Sequence, residues 1–139
     1  MSVEEVGREI YKVLRALVDM PEDSFAIFQV KASRNRFVQF ASEGNGSLLG
    51  EVVSNQFLDL EDSLSPEIED RVVGLGWHPP ETPYSKANEY ERVNYYREWL
   101  APADLRSAAC MAAVTIRTAF GVDEPSEIST ELEEQEGHE

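Results

Sequence analysis

Three short runs between residues 25 and 54 constrain the fold of this chain more than any other feature. Phe25-Ala26-Ile27-Phe28-Gln29-Val30 is rich in aromatic and β-branched residues and reads as a strand. A polar turn, Lys31 to Arg36, separates it from Phe37-Val38-Gln39-Phe40-Ala41, the returning strand. Gly44-Asn45-Gly46-Ser47 marks a second turn before a third strand at Leu48–Ser54. Connections this short predict an antiparallel meander. A sheet covered on one side alternates apolar and polar residues cleanly, and these strands do not. If Phe28, Val30, Val38, Phe40, Leu48 and Val52 face a helical layer, the opposite face shows Phe25, Ile27, Phe37 and Val53 beside Gln29, Gln39 and Glu51. This assignment assumes a register that keeps the two glutamines on one side. The mixture is too apolar for plain solvent and too polar for a core, and exposed apolar surface of this kind marks an interface. A self-dimer, capture of a peptide or protein, and cover by a loop or the C-terminal segment all satisfy it.

The helical layer is legible on both sides of the meander. Val6, Ile10, Val13, Leu14 and Leu17 recur at helical spacing, which predicts an amphipathic helix over residues 3–18 ended by Met20-Pro21. Ser65-Pro66-Glu67 starts a second helix with Ile68, Val72 and Leu75 inward, and Gly76 suits its left-handed end. Asn94–Trp99 reads as a fourth strand. A last helix begins near Pro102 and Asp104. It turns Leu105, Ala108, Ala109, Ala112, Ile116, Ala119 and Phe120 inward and stops at Gly121. The predicted class is α+β: an antiparallel sheet with packed helices, in the order α-β-β-β-α-β-α.

A chain of 139 residues makes one domain and buries roughly two thirds of its unfolded surface. The expected division is a single domain over residues 1–122 and an acidic, flexible C-terminal tail over 123–139. The tail holds eight acids and no lysine or arginine, and Glu51 to Asp70 holds seven acids and no base. Both blocks serve solubility, or form an acidic face that meets a basic partner. With a net charge of −15, the surface repels phosphate backbones, so nucleic acid is not an expected partner. A charged start, MSVEEVGREI, and no long apolar run predict a cytoplasmic protein without a membrane span.

The residues of catalysis are sparse. Cys110, the single cysteine, falls on the predicted inner stripe of the last helix, where it reads as a small buried hydrophobe. His78 and His138 stand sixty residues apart, with no His-x-x-x-His or Cys-x-x-Cys spacing, so no transition-metal site is expected. Asp59, Glu61 and Asp62 lack the glycine-spaced pattern of a calcium loop. No lysine or helix follows Gly44-Asn45-Gly46 as in a phosphate loop, and no cofactor is expected. Gly76-Trp77-His78-Pro79-Pro80 with Asn94-Tyr95-Tyr96-Arg97-Glu98-Trp99 gathers most of the remaining chemistry. Trp77 reads as a core plug whose indole N–H reaches a nearby carbonyl. Adjacent strand positions send Tyr95 and Tyr96 to opposite faces, so at most one joins the core.

Those motifs in that order resemble a known family. RFVQFA, LLGEVVSNQFL, LSPEIEDRVVGLGWHPP, NYYREW and AACMAAVTIRTAFGV together resemble the actinobacterial TY-Chap domains, which are similar to type III secretion chaperones and to the YbjN family. The resemblance spans about residues 25–122 and is most specific at Leu75–Pro80 and Asn94–Arg97. It implies a type III secretion chaperone-like α+β fold that binds peptides or unfolded segments, and it carries no catalytic residues.

The expected protein is therefore a non-enzymatic, chaperone- or adaptor-like module that binds an unknown protein or peptide, with a homodimer also expected. Its expected binding residues are Phe25, Ile27, Gln29, Phe37, Gln39, Tyr95 and Tyr96. Two other readings stand beside it. One is a small-ligand protein or enzyme using His78 with Tyr84, Tyr90 or Asp59 in a loop-lined cleft. The other is a structural subunit that docks through its acidic tail.

Overall fold

A computed structural model of the chain describes residues 2–83 and 92–135. Helix α1 (Ser2–Leu17) leads into strands β1 (Phe25–Val30), β2 (Ser33–Ser42) and β3 (Leu48–Val52). Helix α2 (Pro66–Gly74), strand β4 (Tyr95–Trp99), helix α3 (Leu105–Phe120) and strand β5 (Ile128–Glu133) follow. The predicted order holds, with one strand added at the end. The five strands form a single antiparallel sheet in the order β4-β3-β2-β1-β5.

Helices α2 and α3 start or stop where local chemistry requires. The Ser65 hydroxyl accepts from the Ile68 N–H at 3.2 Å, with Pro66 at the first helical position of α2. The Asp104 carboxylate accepts from the Ser107 N–H at 3.1 Å and starts α3, and Gly121 ends it in the left-handed region at φ +70°. These partners satisfy backbone groups that a helix end otherwise leaves open.

The core lies between the helices and one face of the sheet. Val6, Ile10, Leu14 and Leu17 of α1 and Ala108, Ala112 and Ile116 of α3 are buried against Ala26, Phe28, Val38, Phe40, Leu48 and Val52. Val53, expected on the opposite face, is fully buried. Strand β3 ends at Val52, so strict alternation no longer governs the next side chain; the Val53 N–H still donates to the Phe37 carbonyl at 3.2 Å.

An aromatic cluster closes one end of this core. Trp77 is 1% exposed, and its indole N–H donates to the Thr115 hydroxyl at 2.8 Å rather than to a carbonyl. The Trp77 and Trp99 rings meet edge to face at 5.8 Å, and Phe40 lies 5.7 Å from Trp99. His78 then pairs with the outer edge of β4, giving its N–H to the Tyr96 carbonyl at 2.8 Å and accepting from the Tyr96 N–H at 3.1 Å. Pro79 and Pro80 cannot continue that ladder, which protects the edge from further pairing. The Gly-Trp-His-Pro-Pro run is thus a core plug followed by an edge guard.

The acidic segment after Val122 is not only a tail. Strand β5 pairs along the whole of β1, from Val30↔Ile128 to Phe25↔Glu133. Its end is tied by the Gln135 N–H, which donates to the Ser24 hydroxyl at 2.8 Å. Five of its six residues are exposed, so the ladder to β1, not burial, makes it a strand, and an outer strand tolerates such charged, exposed residues.

Candidate functional site

The helices cover one side of the sheet, and among the described residues no helix covers the other. Register decides what the open side carries. Phe25 pairs with Ala41, Ile27 with Gln39 and Gln29 with Phe37, so both glutamines share the face with the aromatic residues. Pairing continues outward in two complete rows. Glu133, Phe25, Ala41, Leu49 and Glu98 form one row across all five strands. Glu131, Ile27, Gln39, Glu51 and Tyr96 form the next.

Phe25, Ile27, Phe37, Ala41 and Leu49 are all half-buried on the middle strands, with Gln39 and Glu51 among them. Two carboxylates stand on β5 at one margin, and Glu51 and Glu98 stand towards the other. Glu51 is held in place: Gln39 donates to it at 3.3 Å, Asn94 donates at 3.4 Å, and Arg92 pairs with it at 3.8 Å. Glu98 has a like-charged neighbour in Glu43. Burial and the Glu98 carboxylate push the Glu43 carboxyl above the usual glutamate range, with Glu22 adding to the effect and Arg92 opposing it. Glu43 Oε1 is buried without a hydrogen-bond partner among the described residues.

Tyr95 and Tyr96 divide as their adjacency demands. Tyr96 lies on the open face, its ring 5.2 Å from His78 and its hydroxyl donating to Glu81 at 3.0 Å. Tyr95, expected among the binding residues, points the other way. It is 3% exposed and donates to Glu69 of α2 at 3.0 Å. Burial and the Glu69 carboxylate raise its pKa well above the ordinary tyrosine value. The pairing of Tyr95 with Val52, an inward residue, fixes that orientation. Phe25, Ile27, Gln29, Phe37, Gln39 and Tyr96 remain together.

His78 is exposed and contacts Tyr96, while Tyr84 and Tyr90, offered as its companions, lie outside the described residues, as does His138. Asp59, Glu61 and Asp62 bring carboxylate oxygens within 4.8 Å of one another. Asp62 is already engaged, accepting from the Ser33 hydroxyl at 3.0 Å and pairing with Arg36 at 3.8 Å. Cys110, expected to be buried, is exposed. It borders an apolar cleft of ≈ 500 Å³ between α1 and α3, with Gly7, Tyr11, Ala113, Arg8 and Arg106. Helical rotation explains the difference: Ala109 and Ala113 face inward, and Cys110 sits about 100° beyond Ala109. No helix among the described residues is long and apolar enough to cross a membrane.

A family model, TY-Chap3, described as T3SS (YopN, CesT) and YbjN peptide-binding chaperone 3, matches residues 12–134. That span includes β5 and leaves out the first ten residues of α1 and the last five of the chain. Neither curated proteins nor solved structures yielded a significant match. The chain belongs to the TY-Chap3 family of T3SS- and YbjN-type peptide-binding chaperones.

Proposed function

We propose that this protein is a non-enzymatic binding module that holds a peptide or protein segment on the open face of its sheet, chiefly through Phe25, Ile27 and Phe37. Gln29, Gln39 and Tyr96 supply polar contacts around them. One observation carries the reading: a five-stranded sheet with its helices on a single side leaves half-buried apolar residues among polar ones on the other. Apolar surface rimmed by polar groups is the usual mark of a protein-binding site. A cytoplasmic site of action fits the absence of a membrane-crossing helix among the described residues. A second copy of the chain on the same face is the competing occupant.

The test is a peptide array probed with the intact protein, with Phe37→Glu and with Ile27→Gln. Ile27→Gln removes apolar contact without adding charge, so it separates lost binding from lost folding. Circular dichroism and urea unfolding establish that each variant keeps a cooperative fold. Loss of array binding in folded variants supports the reading; unchanged binding in both removes the site from this face. Sedimentation of the intact protein reads whether a dimer occupies the face instead.

A further inference from the structure

The shape and charge of the open face say more about its ligand than that it is a peptide. Resting on the reading above, we infer that the bound segment is a basic amphipathic helix, lying apolar side down along β1 and β2 with lysines or arginines along both flanks.

Width is the first argument. Five strands at a spacing of about 4.8 Å put β5 and β4 about 19 Å apart. The strip that holds the half-buried apolar residues lies between them, on β1, β2 and β3. An α-helix with its side chains is about 10–12 Å across, so it fills that strip and leaves a margin on each side. Lysine and arginine stems cover apolar surface while their charged ends reach outward, across margins of this size. An extended segment covers only about 5 Å and engages one side of the strip.

Backbone satisfaction is the second argument. The ladder groups of β1, β2 and β3 are already used by their neighbours, so the sheet face offers an incoming chain side chains only. A strand laid flat on that face would have its own N–H and C=O groups against apolar surface without partners. A helix brings all its interior hydrogen bonds with it. Covering a sheet on its second side with a helix is also the ordinary way such a layer is completed.

Charge is the third. Glu131 and Glu133 mark one margin, and Glu98 with Glu43 marks the far end of the other. Among the described residues none of these four takes part in an ion pair, and Arg92, a base beside this face, is committed to Glu51. Cations from a partner meet the two margins with complementary sign, whereas an acidic partner meets repulsion on both sides. Two copies of this face apposed would bring acidic margins together, which disfavours the self-dimer as occupant.

The experiment uses the full chain and four synthetic peptides of about 18 residues. One carries a leucine–alanine stripe with lysine flanks; the second has glutamate flanks. The third keeps the lysine composition but carries two central prolines, and the fourth alternates lysine and leucine as an extended segment. Binding is read by calorimetry, and helix formation by circular dichroism of the complex. The lysine-flanked helix is expected to gain helicity on binding and to bind at least about tenfold more tightly than the other three. Phe37→Glu and Ile27→Gln should each abolish that difference, and the pair Glu131→Gln with Glu133→Gln should weaken binding several-fold while the fold is retained. Equal or tighter binding of the proline or alternating peptide overturns the helix while leaving the face reading intact, if Ile27→Gln still removes it. Binding of the lysine-flanked helix that ignores both Phe37→Glu and Ile27→Gln overturns helix and face together. No binding by any peptide overturns the inference, and the array experiment then judges the face separately.

Discussion

The Trp77 indole N–H donates to the Thr115 hydroxyl at 2.8 Å, and that hydroxyl donates in turn to the Met111 carbonyl one turn earlier on α3, at 2.6 Å. This short chain couples the segment after α2 to the last helix inside the core, where neither side chain reaches solvent. Thr115→Val keeps the shape and removes the acceptor, which strands a buried N–H. The expected cost is about 1–3 kcal/mol. Trp77→Ala, which also empties the space between Trp99 and α3, should cost about 3–5 kcal/mol. Urea unfolding of both variants checks the order. A Trp77→Ala protein as stable as the parent would mean that the indole is not the plug described here.

Gly50 is the floor beneath the same aromatic cluster. A Cβ added there would lie 2.8 Å from Cζ3 of Trp99, 2.9 Å from Cε1 of Phe40 and 3.1 Å from Cη2 of Trp77. Three rings would have to move for one methyl group. Gly50→Ala should therefore destabilise by about 1–3 kcal/mol. Combined with Trp99→Phe it should cost less than the sum of the single changes, because the smaller ring yields space. A double-mutant cycle in urea reads that coupling. Strict additivity would show that the rings already have room.

Glu43 and Glu98 set a pH dependence whose sign follows from their geometry. The folded state holds the Glu43 proton more tightly than the unfolded chain does, since burial and the neighbouring carboxylate raise its pKa. The associated stability is fully present below the ordinary glutamate pKa and is lost as pH rises through the raised value. Glu43→Gln removes the repulsion and leaves an amide able to donate to Glu98. It should stabilise the protein at pH 7 by less than about 1 kcal/mol, because the pair is partly exposed and screened. The gain should vanish at pH 4, where the parent is protonated. Urea midpoints at the two pH values decide it, and an equal gain at both would point to a cause other than charge.

Much of this was legible locally, and the failures share a physical origin. Alternation in β1 sends Ala26, Phe28 and Val30 inward and Phe25, Ile27 and Gln29 outward, because a period of two is set by each residue's immediate neighbours. Caps at Ser65 and Asp104 are equally local. Tyr95 and Tyr96 were separable as a pair, but which one turned inward depended on the register of β4 against β3. Val53 escaped the alternation because the strand ended before it. Cys110 is as small as the alanines around it, so composition hid its rotation out of the stripe. The open face followed from strand patterning, whereas its acidic margins needed β5, whose partner lies a hundred residues earlier.

Strand β5 is the element for which composition misleads most, and its removal has a defined consequence. Ile-Ser-Thr-Glu-Leu-Glu has two apolar residues and little burial, so nothing local marks it as a strand. Its stability comes from the ladder to β1 and from Ile128 and Pro125, which line a gap with Ile10 and Phe28. Ending the chain after Val122 leaves the outer edge of Phe25–Val30 unpaired and opens that gap. Ladder hydrogen bonds are worth about 0.5–1.5 kcal/mol each, offset by the entropy of ordering the segment, so the net loss should be about 1–3 kcal/mol. The bare edge should also promote association, since an unpaired strand is a template for another. Urea unfolding and sedimentation of the truncated chain measure the two effects. A truncated protein that is monomeric and as stable as the parent would make the acidic segment an appendage of the sheet, not a working strand of it.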